Sequence, residues 1–119
     1  MTQIEKMQIK AEGENNVKLL FVSVMLGVLD MIEKGNVSIT DAAMIFCLPI
    51  MLRTKDNTII HQICSMTDEL DTYPPMRRKG EIEKIRKLCC EIMADYRRTD
   101  NEAKDQTISF EFFHGNMAD

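Results

Sequence analysis

"LLFVSVMLGVLDMI", residues 19–32, is the least polar stretch of this 119-residue chain. A helix over residues 17–32 would extend about 24 Å at ~1.5 Å per residue, which is shorter than the ~30 Å hydrocarbon core of a bilayer. Lys18 and Asp30 also lie inside that window. The stretch therefore predicts a helix of a protein core rather than a membrane span.

The few small or polar residues of this helix share one side. At about 100° per residue, Ser23, Gly27, Asp30 and Lys34 fall on a narrow stripe, and apolar side chains cover nearly everything else. This pattern predicts a central helix that neighbours surround on most sides. On the stripe, Ser23 and Gly27 could let another backbone approach closely, while the order of Asp30 and Lys34 is typical of a solvated ion pair. Gly35 fits the left-handed position that follows a helix C-terminus.

A short second helix is predicted after this glycine. Ser38 can cap its N-terminus, and Pro49 is expected to end it, because proline lacks a backbone N–H. The residues expected to face the core are Ala42, Ile45, Phe46 and Leu48.

Two longer helices complete the predicted bundle. Asn57 is a plausible cap for the third, whose apolar residues recur at helical spacing as far as Leu70, and a Pro74-Pro75 pair ends it. The fourth has a wide apolar face of about 140°. The residues on that face are Ile82, Ile85, Leu88, Cys89, Ile92, Met93 and Tyr96. The fold class is therefore all-α: a compact bundle of about four helices around the central apolar helix.

The whole chain, 1–119, is expected to form a single helical domain with a core of about 14–98 and an acidic tail or arm over 99–119. Within the tail, "TISFEFF" (107–113) alternates apolar and polar residues, which predicts a short strand or an extended arm. The suggested partner strand is "TQIEKMQIK" (2–10), and a helical continuation or disorder after Gly115 is equally open.

Catalytic and metal-binding motifs are scarce. Four cysteines show no C-x-x-C spacing, and no nucleotide-binding glycine loop occurs, so neither a metal nor a cofactor is predicted. His61 is interpreted as a structural group on the third helix. We expect no enzyme, and a thiol-dependent enzyme acting through Cys90 is the minor alternative.

Without a secretory h-region, the protein is expected to be cytoplasmic, with reduced cysteines and with Cys64 and Cys89 in the core.

Segregated charge is the most informative functional feature. An acidic turn of three carboxylates precedes a basic run across the proline pair, so the two either neutralise each other or form a recognition loop for a protein partner. The predicted partner-binding residues are Asp68, Glu69 and Asp71 (the acidic turn), Tyr73, and Arg77 and Arg78 of the basic run.

Nucleic acid is the alternative partner. The net charge of −4 gives no overall attraction to phosphate, although a basic flank on the fourth helix could contact it. In this alternative the protein is a nucleic-acid-associated regulator. The residues that would contact phosphate are Arg77, Arg78, Lys79, Arg86 and Arg97. Ten methionines also make a homodimer plausible, because Met suits adaptable contact surfaces.

Several short motifs recur along residues 19 to about 96: Leu26-Gly27, Lys34-Gly35, Asp41-Ala42, a closing Pro49 and "CSMTDELDTYPP" (64–75). With these motifs the segment resembles a small family of uncharacterised bacterial all-helical proteins. Where that family shows Phe-Ser-Pro, this chain has "FCLP" (46–49). Small acidic proteins of this kind accompany polymorphic toxins as immunity proteins. The resemblance implies a non-catalytic, immunity-type inhibitor that occludes a cognate toxin domain.

Overall fold

The computed structural model describes residues 4–54, 57–96 and 107–115. Most of these residues are helical. The elements in chain order are strand β1 (Ile4–Glu12), helix α1 (Glu14–Glu33), helix α2 (Ile39–Asp41), a π-helical segment (Ala42–Cys47), helix α3 (Leu48–Arg53), helix α4 (Thr58–Glu69), a 3-10 turn (Leu70–Thr72), helix α5 (Pro75–Ala94) and strand β2 (Thr107–Gly115). Because α2, the π-helical segment and α3 are continuous, residues 39–53 form one rod. The predicted all-α bundle of about four helices is confirmed.

Helix α1 is the central element of this bundle. It contributes six buried side chains, more than any other element, and it packs on α4, α5 and β1. The buried residues recur at helical spacing: Val17, Phe21, Val22, Met25, Leu29 and Ile32. They join residues of every other helix in one hydrophobic core. The central position expected for this helix is therefore confirmed.

The polar stripe of α1 faces solvent. Ser23, Gly27 and Asp30 are exposed, and a Cβ built on Gly27 would meet no atom within 4 Å. Asp30 and Lys34 form an ion pair at 2.9 Å across one helical turn. Close backbone approach at Ser23 and Gly27 is thus wrong, and the solvated pairing of Asp30 with Lys34 is confirmed.

Among the described residues, α1 is the one helix long and apolar enough to cross a membrane by length and composition. One third of its most apolar window is buried inside the protein. The core helix of a water-soluble protein passes the same test of length and composition, and the six buried side chains of α1 fit that explanation.

Gly35 ends α1 in the way the sequence predicts. Its φ of 77° is left-handed. Its N–H donates to the Ile32 carbonyl at 3.1 Å, while the N–H of Asn36 reaches back to Met31 at 2.9 Å. These two bonds form a Schellman motif, which satisfies carbonyls that the helix end leaves open.

The second helix departs from its prediction at Pro49. The Leu48 N–H donates to Ala43, five residues back, so the turn before the proline is π-helical. An α-helical proline would clash with the carbonyl four residues earlier, and the wider turn relieves that clash. The rod therefore continues to Arg53 instead of stopping at Pro49.

The π-helical segment also changes which residues face the core. Ala42 and Cys47 are buried, whereas Ile45 is 74% and Leu48 is 42% exposed. An i→i+5 turn contains more residues than an α-helical turn, so positions beyond it are rotated from those counted at 100° per residue. The prediction that Ile45 and Leu48 face the core is wrong.

Phe46 lies between α1 and β2. Its ring stacks on Phe21 with centroids 5.6 Å apart and on Phe110 with centroids 5.7 Å apart. This three-ring stack joins the central helix, the rod of residues 39–53 and the sheet.

The two strands form one antiparallel ribbon. Ile9 pairs with Phe110 and Ala11 with Ile108, so their side chains share one face. Ile108 is 1% exposed and belongs to the core. The strand reading of 107–113 and its suggested pairing with the segment near residue 8 are confirmed.

Helices α4 and α5 supply the other walls of the core. Asn57 caps α4 by accepting the Ile60 N–H at 3.3 Å, as predicted. The buried residues of these helices are Ile60, Ile63, Cys64 and Thr67 in α4 and Ile82, Ile85 and Cys89 in α5. Met93, expected on the apolar face, is 39% exposed near the end of α5. That expectation is wrong for Met93, although Leu88 and Ile92 of the same face pack against the core.

Candidate interaction surface

Arg78 is a structural residue rather than a free contact. Its Nε donates to the Leu70 carbonyl and its guanidinium Nη2 to the Tyr73 carbonyl, both at 3.1 Å. The positive charge therefore sits at the C-terminal end of α4, where the helix dipole favours a cation. Its position also explains how the acidic turn is tolerated at that helix end.

Arg77 and Tyr73 contact each other. The Arg77 guanidinium lies 4.7 Å from the centroid of the Tyr73 ring, and Arg77 also pairs with Glu81 at 3.5 Å. Tyr73 is half-buried. The aromatic anchor expected for a partner is thus partly covered by its own neighbour.

The three carboxylates of the acidic turn behave differently. Asp68, Glu69 and Asp71 are exposed, and no ion pair joins them to a basic residue in the part of the chain that the structure describes. Neutralisation by the basic run, the alternative explanation for this segment, is therefore not seen among these residues. Their charge is available to a partner.

Arg86, on the basic flank of α5, is neutralised within the protein. Arg86 pairs with Glu33 at 3.0 Å and with Glu83, and its Nη2 lies 3.9 Å from Asp30. The hydrogen bond to Glu33 raises the pKa of Arg86 above its usual value despite partial desolvation. Lys79 is exposed, and Arg97 lies outside the described residues. Arg86 serves to hold α5 against α1.

His61 has a structural partner. Its Nε2 is 2.9 Å from the Thr54 carbonyl, and a carbonyl can only accept, so Nε2 carries the proton. The Thr54 side chain, fully buried, in turn donates to Ile50 at 2.8 Å. His61 and the exposed Cys90 line neither of the two grooves that border the acidic turn.

A groove of about 560 Å³ gathers part of the predicted site. Asp71, Arg78 and Lys79 line it together with apolar residues at the end of α1 and the start of α2. Asp68, by contrast, borders a second groove, which lies between α4 and the rod of residues 39–53. The acidic turn thus connects two depressions of the surface.

The rod of residues 39–53 exposes a row of large apolar side chains, which we call the apolar ridge. It consists of Met44 (58% exposed), Ile45 (74%), Leu48 (42%) and Leu52 (64%). Three of the four recur every fourth residue. Scattered apolar residues are normal on a protein surface, but four large exposed ones within residues 44–52 are typical of a contact surface.

The second groove, which we call the thiol groove, runs beside the ridge and has a volume of about 220 Å³. Met44, Leu48 and Met51 line one side, and Ser65 and Asp68 line the α4 side. Its remaining walls include the buried thiols of Cys47 and Cys64. The groove is thus apolar with one carboxylate at its edge.

Sequence reasoning missed the apolar ridge, although a signal was present. The segment 42–52 carries more large apolar residues than one helix face can bury. Such a surplus around an internal proline indicates a second apolar face. The sequence offered no comparable signal for the thiol contact, because positions 47 and 64 do not follow a motif spacing.

Comparison of the chain with protein-family models, curated proteins and solved structures gives no significant match.

Proposed function

We propose that this protein is a non-catalytic binding module whose apolar ridge contacts a partner protein. The single observation that carries the proposal is the row of four exposed apolar side chains beside the thiol groove. Burying these side chains under a partner would stabilise a complex by about 25 cal/mol for each Å² of apolar surface removed from water.

Charge defines the chemistry of that partner. Asp68 borders the thiol groove, Glu69 and Asp71 follow it, and the chain carries a net charge of −4. A partner segment that presents apolar residues flanked by Lys or Arg would match both features. The occupant we commit to is therefore a basic protein surface with an apolar centre.

An immunity-type role fits this chemistry. A cytoplasmic protein that occludes a toxin domain needs surface complementarity and no catalytic group of its own. A toxin that acts on nucleic acid would carry the basic surface that the acidic turn favours. The resemblance of residues 19–96 to small bacterial helical proteins supports the same reading. We therefore propose inhibition of a cognate toxin by occlusion.

The experiment compares variants in an affinity capture from the native cell. The ridge variant combines Ile45→Glu and Leu48→Glu, and the matched control is Met76→Glu, since Met76 is 97% exposed at the start of α5, outside the ridge. A partner should be retained by the wild type and the control but lose at least about 30-fold in affinity for the ridge variant, as expected for hot-spot residues.

The captured protein must then be purified and shown to form a defined complex. Asp68→Lys should slow association and flatten its salt dependence. For an immunity protein, coexpression must also relieve growth arrest caused by the partner. A partner that binds the ridge variant as well as the wild type refutes the proposal.

Two further results would replace the proposal with another function. Concentration-dependent self-association that the ridge variant abolishes would make a second copy of the chain the occupant. Retention of nucleic acid that falls steeply with salt would favour the regulator reading.

A further inference from the structure

Two cysteines from different helices meet beside the apolar ridge. Cys47 ends the π-helical segment, and Cys64 lies in α4. The Cys64 thiol donates to the Cys47 carbonyl oxygen at 3.9 Å, and both cysteines line the same groove, so the two residues are direct neighbours. Each residue is only 2% exposed, but both line the thiol groove.

The contact makes the two thiols chemically unequal. The hydrogen bond from Cys64 lowers the pKa of Cys47, against the opposing effects of burial and of Asp68. The same bond and burial raise the pKa of Cys64 well above its usual value. This difference favours Cys47 as the attacking sulfur of the pair, because the thiolate is the nucleophilic form.

We propose that Cys47 and Cys64 form a peroxide-reactive pair that closes to an intramolecular disulfide. The co-reactant is a hydroperoxide, and hydrogen peroxide is small enough to enter a groove whose thiols are almost fully covered. The inference does not rest on the proposed function, because the chemistry needs no protein partner.

The reaction has two steps. The Cys47 thiolate attacks one peroxide oxygen, so that an S–O bond forms, the O–O bond breaks and hydroxide leaves as water after taking a proton. The Cys64 sulfur then attacks the sulfenic sulfur of Cys47, so that the S–S bond forms, the S–O bond breaks and a second water leaves with the Cys64 proton. Two thiols are oxidised and one peroxide is reduced.

The other two cysteines serve as internal references. Cys89 is fully buried, and desolvation raises its pKa to about 11, which keeps it protonated near neutral pH. Cys90 is exposed on the same helix. A reaction governed by exposure alone would therefore begin at Cys90.

The test treats the folded wild-type chain with less than one equivalent of hydrogen peroxide. Free thiols are then alkylated under denaturing conditions, and the cysteine peptides are mapped by mass spectrometry. We expect a disulfide-linked peptide pair containing Cys47 and Cys64, formed about tenfold faster than any oxidation of Cys90. The Cys90→Ser variant should give the same linked pair at the same rate.

A second measurement fixes the order of attack. In Cys64→Ser the resolving thiol is missing while a hydroxyl donor to Cys47 is kept, so a 1,3-diketone probe should label a sulfenic acid at Cys47. Oxidation of Cys90 while Cys47 and Cys64 both stay free would overturn the proposal. A disulfide that joins only other cysteines would do the same. Both of these readouts come from the wild type, so the stability of the variant does not affect them.

Discussion

Replacing Arg78 by Met tests whether this residue belongs to the fold or to a contact surface. Its guanidinium donates to the carbonyls of Leu70 and Tyr73, each at 3.1 Å. A hydrogen bond from a charged group contributes about 1.5–3 kcal/mol, and we take roughly half because Arg78 is only half-buried. The two bonds together predict a loss of about 2 kcal/mol in the free energy of unfolding.

The neighbouring Arg77 is the matched control. It keeps an exposed ion pair with Glu81 and a ring contact with Tyr73, which together contribute at most about 1 kcal/mol. Urea denaturation followed by far-UV circular dichroism measures both variants, with an unchanged dependence on urea as the sign that the folded state stays compact. If Arg78→Met loses no more stability than Arg77→Met, the capping argument is refuted.

Three further predictions concern single elements of the fold. Gly35→Ala should lower the free energy of unfolding by about 1–2 kcal/mol, because the φ of Gly35 is left-handed at 77°. Gly27→Ala should be neutral or slightly stabilising, because an added Cβ there meets no neighbour. Thermal melts measure both variants, and equal effects would contradict this reasoning. The hydrogen bond and charge of Lys34 hold the pKa of Asp30 below its ordinary value of 3.8. The ion pair therefore stabilises the fold at pH values above 3.8, and this contribution is lost as the pH falls through the pKa of the folded state. Stability profiles between about pH 5 and pH 2 should therefore fall more steeply for the wild type than for Asp30→Asn, and parallel profiles would disprove it. Phe46→Ala should cost about 2–4 kcal/mol by calorimetry through loss of both ring contacts, and a cost below about 1 kcal/mol would show that the stack contributes little.

The helix boundaries were predictable because their signals are local. Ser38 accepts the Asp41 N–H at 3.0 Å and Asn57 accepts that of Ile60, as their side chains and positions indicated. Gly35 adopts the backbone conformation that glycine permits most readily. A cap depends on three or four consecutive residues, so it can be read without knowledge of tertiary structure.

The second helix was not predictable in the same way. Counting 100° per residue assumes one geometry throughout, and the π-helical segment before Pro49 changes the rotation for Ile45 and Leu48. The choice between ending and widening the helix depends on what the rest of the rod gains by packing. Ile50 is 6% exposed on the far side of the proline, so the continued rod buries an additional core residue.

Only part of the candidate site could be predicted from the sequence. The three carboxylates of the acidic turn are visible there, and their exposure is expected because charged side chains are rarely buried. Nothing in the order of residues shows that Arg78 would reach back eight positions to Leu70. The contact of Cys47 with Cys64 likewise arises only when the rod of residues 39–53 packs on α4.

The antiparallel ribbon has a consequence for biosynthesis. Ile9 and Phe110 are partners although roughly a hundred residues separate them, so their pairing closes a loop that contains every helix. While the ribosome is still making α5, β1 has no strand to bind, and the aromatic column at Phe46 lacks its outer ring. The nascent chain can form helices early, but it must hold an unpaired strand edge until β2 emerges. During that interval β1 is the segment most exposed to misassociation and most suited to capture by a chaperone.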